Sequence, residues 1–213
     1  KQPRVAVCMI GDGATSKGDF YESLNAAGAW KLPAVFFITN NQWAISVPRS
    51  LQSAAETLAQ KAIAAGMPGV QVDGNDVVAV HQAMQDALAR ARRSDGPSVI
   101  EAVTYRLADH TTADDASRYR PPEEVAAAWK HEPLLRLRNY LSEAGVWDKA
   151  REEALLRRCN DEVQAAAQAY LDTPAPPPEQ MFDHLYAAPA PAQAAQHTAL
   201  IERVKIHGTD HAR

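Results

Sequence analysis

The chain has 213 residues, of which 46% are hydrophobic and 23% are charged, and its formal net charge is −4 at pH 7. This composition suits one α/β domain with a sizeable core, and the absence of a basic stripe argues against nucleic acid as a partner. No apolar stretch has the length of a membrane span and no signal peptide precedes the first predicted strand, so we expect a cytoplasmic protein without a membrane partner.

The first predicted elements form a strand, helix, strand unit. Residues 5–10 and 34–39 are short apolar runs with the composition of buried parallel strands. Between them, residues 18–30 predict a helix with apolar side chains at helical spacing, namely Phe20, Leu24 and Ala27. Such a crossover places the carboxyl ends of both strands at one edge of a sheet, where ligands of open α/β sheets bind.

Polar residues follow both predicted strands. Asp12 comes directly after the first strand and Asn41 directly after the second, so we expect their side chains to converge. One carboxylate and one amide oxygen, completed by water and phosphate oxygens, suit a small hard cation such as Mg²⁺. The spacing therefore predicts a metal that carries a phosphorylated ligand.

The turn after the first strand is built from small residues. Gly13 and Ala14 carry no bulk, so their backbone N–H groups can approach a diphosphate, supported by the start of the following helix. The turn lacks the Gly-Lys-Ser/Thr of a P-loop and the Gly-x-Gly-x-x-Gly of dinucleotide folds. A nucleotide-binding Rossmann domain is therefore a disfavoured alternative, which would require binding of NAD or ATP.

Further elements continue the alternation of strands and helices. Residues 54–65 predict a helix that ends at Gly66, residues 69–72 a strand, and residues 98–105 a further alternating, strand-like element. Between the last two, a helix is predicted to run to about residue 93. The order of elements predicts a doubly wound parallel sheet.

Two sets of residues could be mistaken for metal or redox sites. Asp73 and Asp76 flank a turn, and we interpret them as turn and capping residues, with Asn75 or Asp76 as the helix N-cap. Cys8 lies in a predicted buried strand and Cys159 on a predicted helix, so we expect both to pack rather than to form a disulfide.

The segment of residues 106–120 follows the last strand and has no apolar period. Long loops at the carboxyl edge of a sheet usually carry binding or catalysis, so we interpret this segment as a functional loop. It contains His110, whose imidazole could donate to a diphosphate oxygen or supply a proton near neutral pH.

Gly11-Asp12-Gly13 followed by Asn40-Asn41 resembles the thiamine diphosphate motif in the α subunits of 2-oxoacid dehydrogenases. The resemblance extends over residues 5–187, and it is greatest to pyruvate-type subunits of bacteria. It implies the thiamine diphosphate-binding fold, a doubly wound and mostly parallel sheet, with a C-terminal helical annex.

The same resemblance implies the roles of the site residues. Asp12, Asn41 and the backbone carbonyl of Trp43 are the implied Mg²⁺ ligands, and Trp43 stands where relatives usually have Tyr or Phe. The implied thiamine diphosphate site includes Asp12, Gly13, Ala14, Asn41 and His110. His110 is also the implied catalytic residue, because it takes part in passing the acyl group to the lipoyl arm.

The charged residues beside His110 have two interpretations. They are either ordered into a firm loop by ion pairs or form a solvated cluster. These residues are Asp114, Asp115, Arg118 and Arg120.

We expect three regions along the chain. Residues 1–120 are the cofactor-binding α/β domain, without the N-terminal part of the family domain. Residues 121–186 are a helical extension packed on it, in which residues 147–172 form a long helix. The apolar residues expected on the buried side of that helix are Ala154, Leu155, Val163, Ala166 and Tyr170. Residues 187–213 are a tail, expected to be partly disordered or to mediate interactions.

The resemblance implies the diphosphate- and Mg²⁺-binding half of a decarboxylating first component that oxidises pyruvate and transfers acetyl groups to lipoyl. The implied partners are a β subunit in an α₂β₂ heterotetramer, which supplies the carboxylate that activates the aminopyrimidine, and a lipoyl-bearing acyltransferase. We therefore expect the chain to be inactive alone. The alternatives are a branched-chain 2-oxoacid dehydrogenase α subunit and a noncatalytic Mg²⁺-diphosphate-binding assembly module.

Overall fold

Four parallel strands form the sheet, in the order β1, β2, β6, β5. The computed structural model describes residues 4–188 and 190–208. The strands are β1 (Ala6–Gly11), β2 (Ala34–Asn40), β5 (Gly69–Asp73) and β6 (Ser98–Val103). Gly11 is in register with Thr39, and Asn40 with Val103, so the carboxyl ends of β1, β2 and β6 lie side by side.

Helices cover both faces of this sheet. Helix α1 (Gly18–Ala29) packs its predicted apolar side against Phe36 and Ile38 of β2. Helix α4 (Val77–Arg92) packs on the opposite face against Val35 and Phe37, which alternate with the first pair along the same strand. The doubly wound parallel α/β fold predicted from the sequence is thus confirmed.

Short elements and two further helices complete this part of the chain. The antiparallel pair β3 (Trp43–Ala44) and β4 (Val47–Pro48) follows β2, and the short helix α2 (Arg49–Gln52) comes next. A 3₁₀ turn, Gly13–Ser16, links β1 to α1, and another spans Ala116–Arg118. Helices α5 (Pro122–Trp129) and α6 (Pro133–Glu143) lie within residues 121–186, where the sequence predicts a helical extension.

The helix predicted for residues 54–65 is wrong in most of its length. Only helix α3, Lys61–Ala64, is helical there. Side chains take the place of helical hydrogen bonds in the preceding segment: Arg49 donates to the carbonyls of Ser53 and Ala55 at 2.7 and 2.6 Å, and the Ala59 N–H donates to Glu101 Oε2 at 3.0 Å. Gly66 ends the segment with φ +69°, as a helix C-terminal stop requires.

The predicted burial of β1 and of both cysteines is also wrong. Within the described chain β1 pairs with β2 alone, so it is an edge strand, and most of its residues, including Cys8, are exposed. Cys159 is exposed as well. A short apolar run therefore indicates a strand, but whether both of its sides are covered depends on neighbours that the run itself cannot specify.

The chain divides into two compact units, residues 1–148 and 149–213. The second contains α7 (Lys149–Leu171), a 3₁₀ segment (Pro178–Phe182) and α8 (Pro191–His207), and the Phe182 ring contacts the His197 ring edge-on at 5.2 Å. Residues 191–207 of the predicted tail are helical, while its residues 189 and 209–213 lie outside the described residues.

The expected buried side of α7 is not buried in this structure. None of its residues is buried, and Val163 and Tyr170 are 63% and 80% exposed. The amphipathic pattern predicts the side on which a helix can pack, whereas burial requires a partner.

Among the described helices, none combines the length and apolar character needed to cross a membrane.

Candidate functional site

Asp12 is a buried carboxylate at the end of β1. It is 2% exposed, its Oδ2 accepts a hydrogen bond from Gln52 Nε2 at 2.9 Å, and its carbonyl accepts from Thr15 Oγ1 at 2.7 Å. In the part of the chain that the structure describes, no Lys, Arg or His side chain pairs with it. A buried carboxylate without a cationic partner is costly, so this position favours a bound cation.

Gln52 adds an unpartnered acceptor next to Asp12. Its Nε2 also donates to the Val47 carbonyl at 3.1 Å, whereas its buried Oε1 accepts no hydrogen bond. Among the described residues, no group of three or more His, Cys, Asp or Glu side chains is arranged so that it could hold a metal ion. A cation here would take one carboxylate and complete its shell with amide, carbonyl, water and phosphate oxygens, which fits Mg²⁺.

The turn after β1 touches the segment after β2. A Cβ placed on Gly13 would lie 2.6 Å from the Ala44 Cβ, closer than such atoms approach one another, so the contact depends on the glycine. The N–H groups of Gly13 and Ala14 donate to no acceptor among the described residues. Free N–H groups beside an oxygen-rich cation site form a cradle for an anion.

The two asparagines after β2 have different surroundings. Asn40 is buried and its Nδ2 donates to Glu101 Oε1 at 2.7 Å. Asn41 is half-buried and its Oδ1 accepts from the Trp43 N–H at 3.1 Å. The Asn41 amide oxygen therefore lies in the loop that begins at the carboxyl edge of the sheet.

Trp43 contributes a buried ring and a weakly engaged carbonyl. The ring is 8% exposed and its centre lies 5.6 Å from that of Tyr119. Within the described residues, the Trp43 carbonyl accepts a long hydrogen bond of 3.4 Å from Arg106 Nη1. The ring therefore packs against the functional loop, whereas the carbonyl keeps capacity for a further partner.

A chain of hydrogen bonds ties the His110 loop to this segment. Arg106 Nη2 donates to the Ile45 carbonyl and to the Tyr119 hydroxyl, both at 2.8 Å. Tyr119 in turn donates to Asp114 Oδ2 at 2.5 Å, and the same oxygen accepts from the His110 N–H at 2.9 Å. The His110 side chain itself is exposed. The structure thus joins His110 to Trp43 through three intervening side chains.

Hydrogen bonding shifts the pKa values of this network. The Tyr119 hydrogen bond, followed by that of the His110 N–H, lowers the pKa of the Asp114 carboxyl. Burial, followed by the hydrogen bond to Asp114, raises the pKa of the Tyr119 hydroxyl. Near neutral pH the pair therefore consists of a carboxylate acceptor and a protonated phenol donor.

Of the two interpretations of the charged residues beside His110, the one with ion pairs among them finds no such pair among the described residues. Asp115 instead accepts from the Ser117 N–H and hydroxyl at 3.2 and 2.5 Å, and Arg120 donates to the carbonyls of Arg106 and Leu107. Aspartate side chains readily accept hydrogen bonds from nearby backbone N–H groups in turns, and backbone carbonyls that are shielded from water need donors. Asp115 and Arg120 therefore bond to groups other than each other.

Sequence reasoning missed several residues that hold the site. Arg106 and Tyr119 lie near the two ends of the polar loop. An Arg and a Tyr in these positions could have indicated a hydrogen bond that holds the two ends together. Gln52 and Glu101 reach the site from distant segments, and no local pattern indicates them. A cavity of about 1150 Å³ beside the site is lined in part by Asn40, Trp43, Glu101 and Tyr119, but not by Asp12 or His110.

The fold and this edge define a doubly wound α/β protein with an oxygen-rich candidate site at the carboxyl ends of β1 and β2. Residues 1–179 match the family model of the dehydrogenase E1 component, and the chain belongs to this family.

Curated relatives carry two different names. The chain is 47% identical over 206 residues to a "3-methyl-2-oxobutanoate dehydrogenase subunit alpha" of Mycobacterium tuberculosis, covering 97% of this chain and 56% of the relative. It is 48% identical over 183 residues to a "Pyruvate dehydrogenase E1 component subunit alpha" of Staphylococcus epidermidis, covering 85% and 50%. A protein of the same name from Staphylococcus aureus is 51% identical over 163 residues, covering 76% and 44%. The chain spans about half the length of the curated relatives it matches.

Proposed function

We propose that this chain is the diphosphate- and Mg²⁺-binding part of the decarboxylating first component of a 2-oxoacid dehydrogenase. The observation that carries the proposal is the buried Asp12 carboxylate, which pairs with no cationic side chain in the described chain. It stands beside two backbone N–H groups that have no acceptor among the described residues. A cation next to an anion cradle is what a metal-bound diphosphate requires.

The chain's own residues would divide the binding as follows. Asp12, the Asn41 amide oxygen and the Trp43 carbonyl are proposed as Mg²⁺ ligands, and the Gly13 and Ala14 N–H groups as donors to the diphosphate. Thiamine diphosphate supplies, when bound, the nucleophilic carbon that allows a 2-oxoacid to lose CO₂. The protein holds the diphosphate end of the cofactor in a fixed place, so that its reactive end is oriented.

His110 is proposed to contact the cofactor and to carry a proton at its imidazole during acyl transfer to a lipoyl group. Two features support this role. The loop backbone is held at the His110 N–H by Asp114, while the side chain remains exposed and able to meet a substrate arm. An imidazole titrates near neutral pH and can both donate and accept.

We propose pyruvate as the substrate, a β subunit as the obligate partner in an α₂β₂ assembly, and a lipoyl-bearing acyltransferase as the acceptor of the acyl group. On this view the chain alone is inactive. The name of the Mycobacterium tuberculosis relative supports a branched-chain 2-oxoacid as the second candidate substrate.

The test is cofactor-dependent decarboxylation by the complete polypeptide, co-purified with a β-type partner and supplied with an artificial electron acceptor. Pyruvate and 3-methyl-2-oxobutanoate are offered in parallel, and the larger kcat/KM is expected for pyruvate. A larger value for 3-methyl-2-oxobutanoate would assign the branched-chain function instead. Cofactor binding without turnover of either acid would contradict the proposed enzymatic activity and favour a noncatalytic assembly module.

A further inference from the structure

Two buried charged side chains lie beneath the candidate site, and the proposed function uses neither. Lys61 is 7% exposed and Glu101 is fully buried. Neither takes part in an ion pair within the described ranges of the chain. Buried charges persist only where polar partners compensate the lost water, so the partners of each indicate its role.

The buried ammonium of Lys61 donates hydrogen bonds to the turn that follows β1. Its Nζ donates to the Thr15 carbonyl at 2.7 Å and lies 3.1 Å from Thr15 Oγ1, and Thr15 is fully buried. The ammonium also lies 5.0 Å from the centre of the Tyr21 ring and 6.0 Å from that of Phe20. Because Thr15 Oγ1 donates to the Asp12 carbonyl, the contact continues from Lys61 through Thr15 to Asp12.

Glu101 anchors the same segment to the second half of the site. Its carboxylate accepts from Asn40 Nδ2 at 2.7 Å, from the Ala59 N–H at 3.0 Å and from Gln71 Nε2 at 3.1 Å. Ala59 lies two residues before Lys61. The segment of residues 59–61 is therefore fixed at one end to the carboxyl end of β2 and at the other to the turn after β1.

We propose that Lys61 is a positioning residue for the diphosphate, an inference that rests on the proposed function. Its hydrogen bonds to Thr15 hold the Gly13–Ser16 turn with the free N–H groups of Gly13 and Ala14 ready for an anion. Its positive charge, which no carboxylate neutralises in the described chain, stabilises negative charge on the other side of the turn. Lys61 thus supports the anion without touching it.

The experiment uses the complete polypeptide assembled with its β-type partner. Lys61→Met removes the charge and the donors but keeps the aliphatic stem, Lys61→Arg keeps a cation, and Lys130→Met removes an exposed charge as the control. Calorimetry measures the affinity for thiamine diphosphate with Mg²⁺ and for inorganic diphosphate with Mg²⁺. We expect Lys61→Met to weaken both on the order of tenfold, Lys61→Arg to lose much less, and Lys130→Met to match the unchanged protein.

A second readout separates positioning from a merely structural role. In Lys61→Met, the cofactor concentration for half-maximal rate should rise by a larger factor than kcat at saturating cofactor falls. Unchanged affinity, or a loss of kcat and thermal stability without weaker diphosphate binding, would overturn the proposal. If Lys61→Met fails to assemble, Thr15→Val removes the hydroxyl contact of Lys61 and keeps the carbonyl contact. Both affinities should then fall to a smaller extent, and unchanged affinity there overturns the proposal too. Failure of the unchanged protein to bind either ligand would instead refute the proposed function.

Discussion

Tyr119 and His110 share one oxygen atom of Asp114: the tyrosine hydroxyl reaches it at 2.5 Å and the His110 N–H at 2.9 Å. The hydroxyl also accepts from Arg106, which donates in turn to the carbonyls of Trp43 and Ile45. The phenolic oxygen of Tyr119 therefore links Asp114, which holds the His110 backbone, to the Arg106 side chain, which contacts the segment after β2.

Removing that oxygen should loosen the loop. Tyr119→Phe loses both hydrogen bonds but keeps the ring contact with Trp43, so we expect faster amide hydrogen exchange in residues 108–118 and slower acyl transfer to a lipoyl substrate. Tyr140→Phe is the matched control, because it deletes the hydroxyl of an exposed tyrosine on α6 outside this network. Equal exchange rates in the loop of both variants would show that Tyr119 does not hold it.

Asp12→Asn should weaken cofactor binding without lowering the stability of the cofactor-free protein. It removes the only negative charge of the proposed metal site, so Mg²⁺-dependent cofactor affinity should fall by more than the roughly 10- to 100-fold that loss of an outer-shell partner costs. Since the carboxylate is buried without a cationic partner in the described chain, the cofactor-free protein should lose no stability. Calorimetry and thermal unfolding measure the two effects, with the exposed Asp19→Asn as the control. Retained affinity would exclude Asp12 as a ligand.

Gly13→Ala should damage the turn through one contact. The added Cβ would meet the Ala44 Cβ at 2.6 Å, and such overpacking typically costs about 1–3 kcal/mol. Cofactor affinity should fall with it, because the turn and the loop after β2 must then move apart. In Gly13→Ala/Ala44→Gly the clash is absent, and the remaining neighbours of the new Cβ lie at 3.5 Å and beyond, which is ordinary contact. If the double variant binds no better than the single one, the contact does not set the geometry.

The ion pair of Arg136 with Asp73 should make stability depend on pH. The hydrogen bond from Arg136 is the largest influence on Asp73, and it lowers the pKa of that carboxyl. A carboxyl whose pKa is lower in the folded chain stabilises the fold above its unfolded pKa of about 3.9, and this contribution disappears as pH falls through the folded value.

Denaturant unfolding of the unchanged chain and of Arg136→Met checks this dependence. The variant should be less stable near neutral pH, and the difference should shrink progressively below about pH 4. Arg92→Met, which removes a charge at the end of α4, should show no such trend. A difference that stays constant across this range would mean that Arg136 acts through packing of its stem.

The sequence predicted the framework well because its signals are local. Apolar runs located the strands, their order defined the doubly wound sheet, and the positions of Asp12 and Asn41 at two strand ends followed from chain geometry. What could not be predicted depends on partners far along the chain. Residues 54–60 have helical composition, yet Arg49 and Glu101 take their backbone groups; β1 has the composition of an interior strand, yet only one neighbour pairs with it in the described chain. The polarity of the loop of residues 106–120 can be predicted from the local sequence. The hydrogen bonds that hold this loop to residues 43–45 cannot, because those residues lie far away along the chain.

The bond between Asn40 Nδ2 and Glu101 has a chemical consequence for the asparagine pair. Asn40 serves the buried carboxylate as a donor, whereas Asn41 is placed as an acceptor, so the two identical residues are not interchangeable. Deamidation would be tolerated differently at each. At Asn41 it would add a negative charge at the loop, but at Asn40 it would bring two carboxylates together inside the sheet, where one must take up a proton. Spontaneous deamidation of Asn40 alone would therefore change the protonation of carboxylates in the interior of this protein.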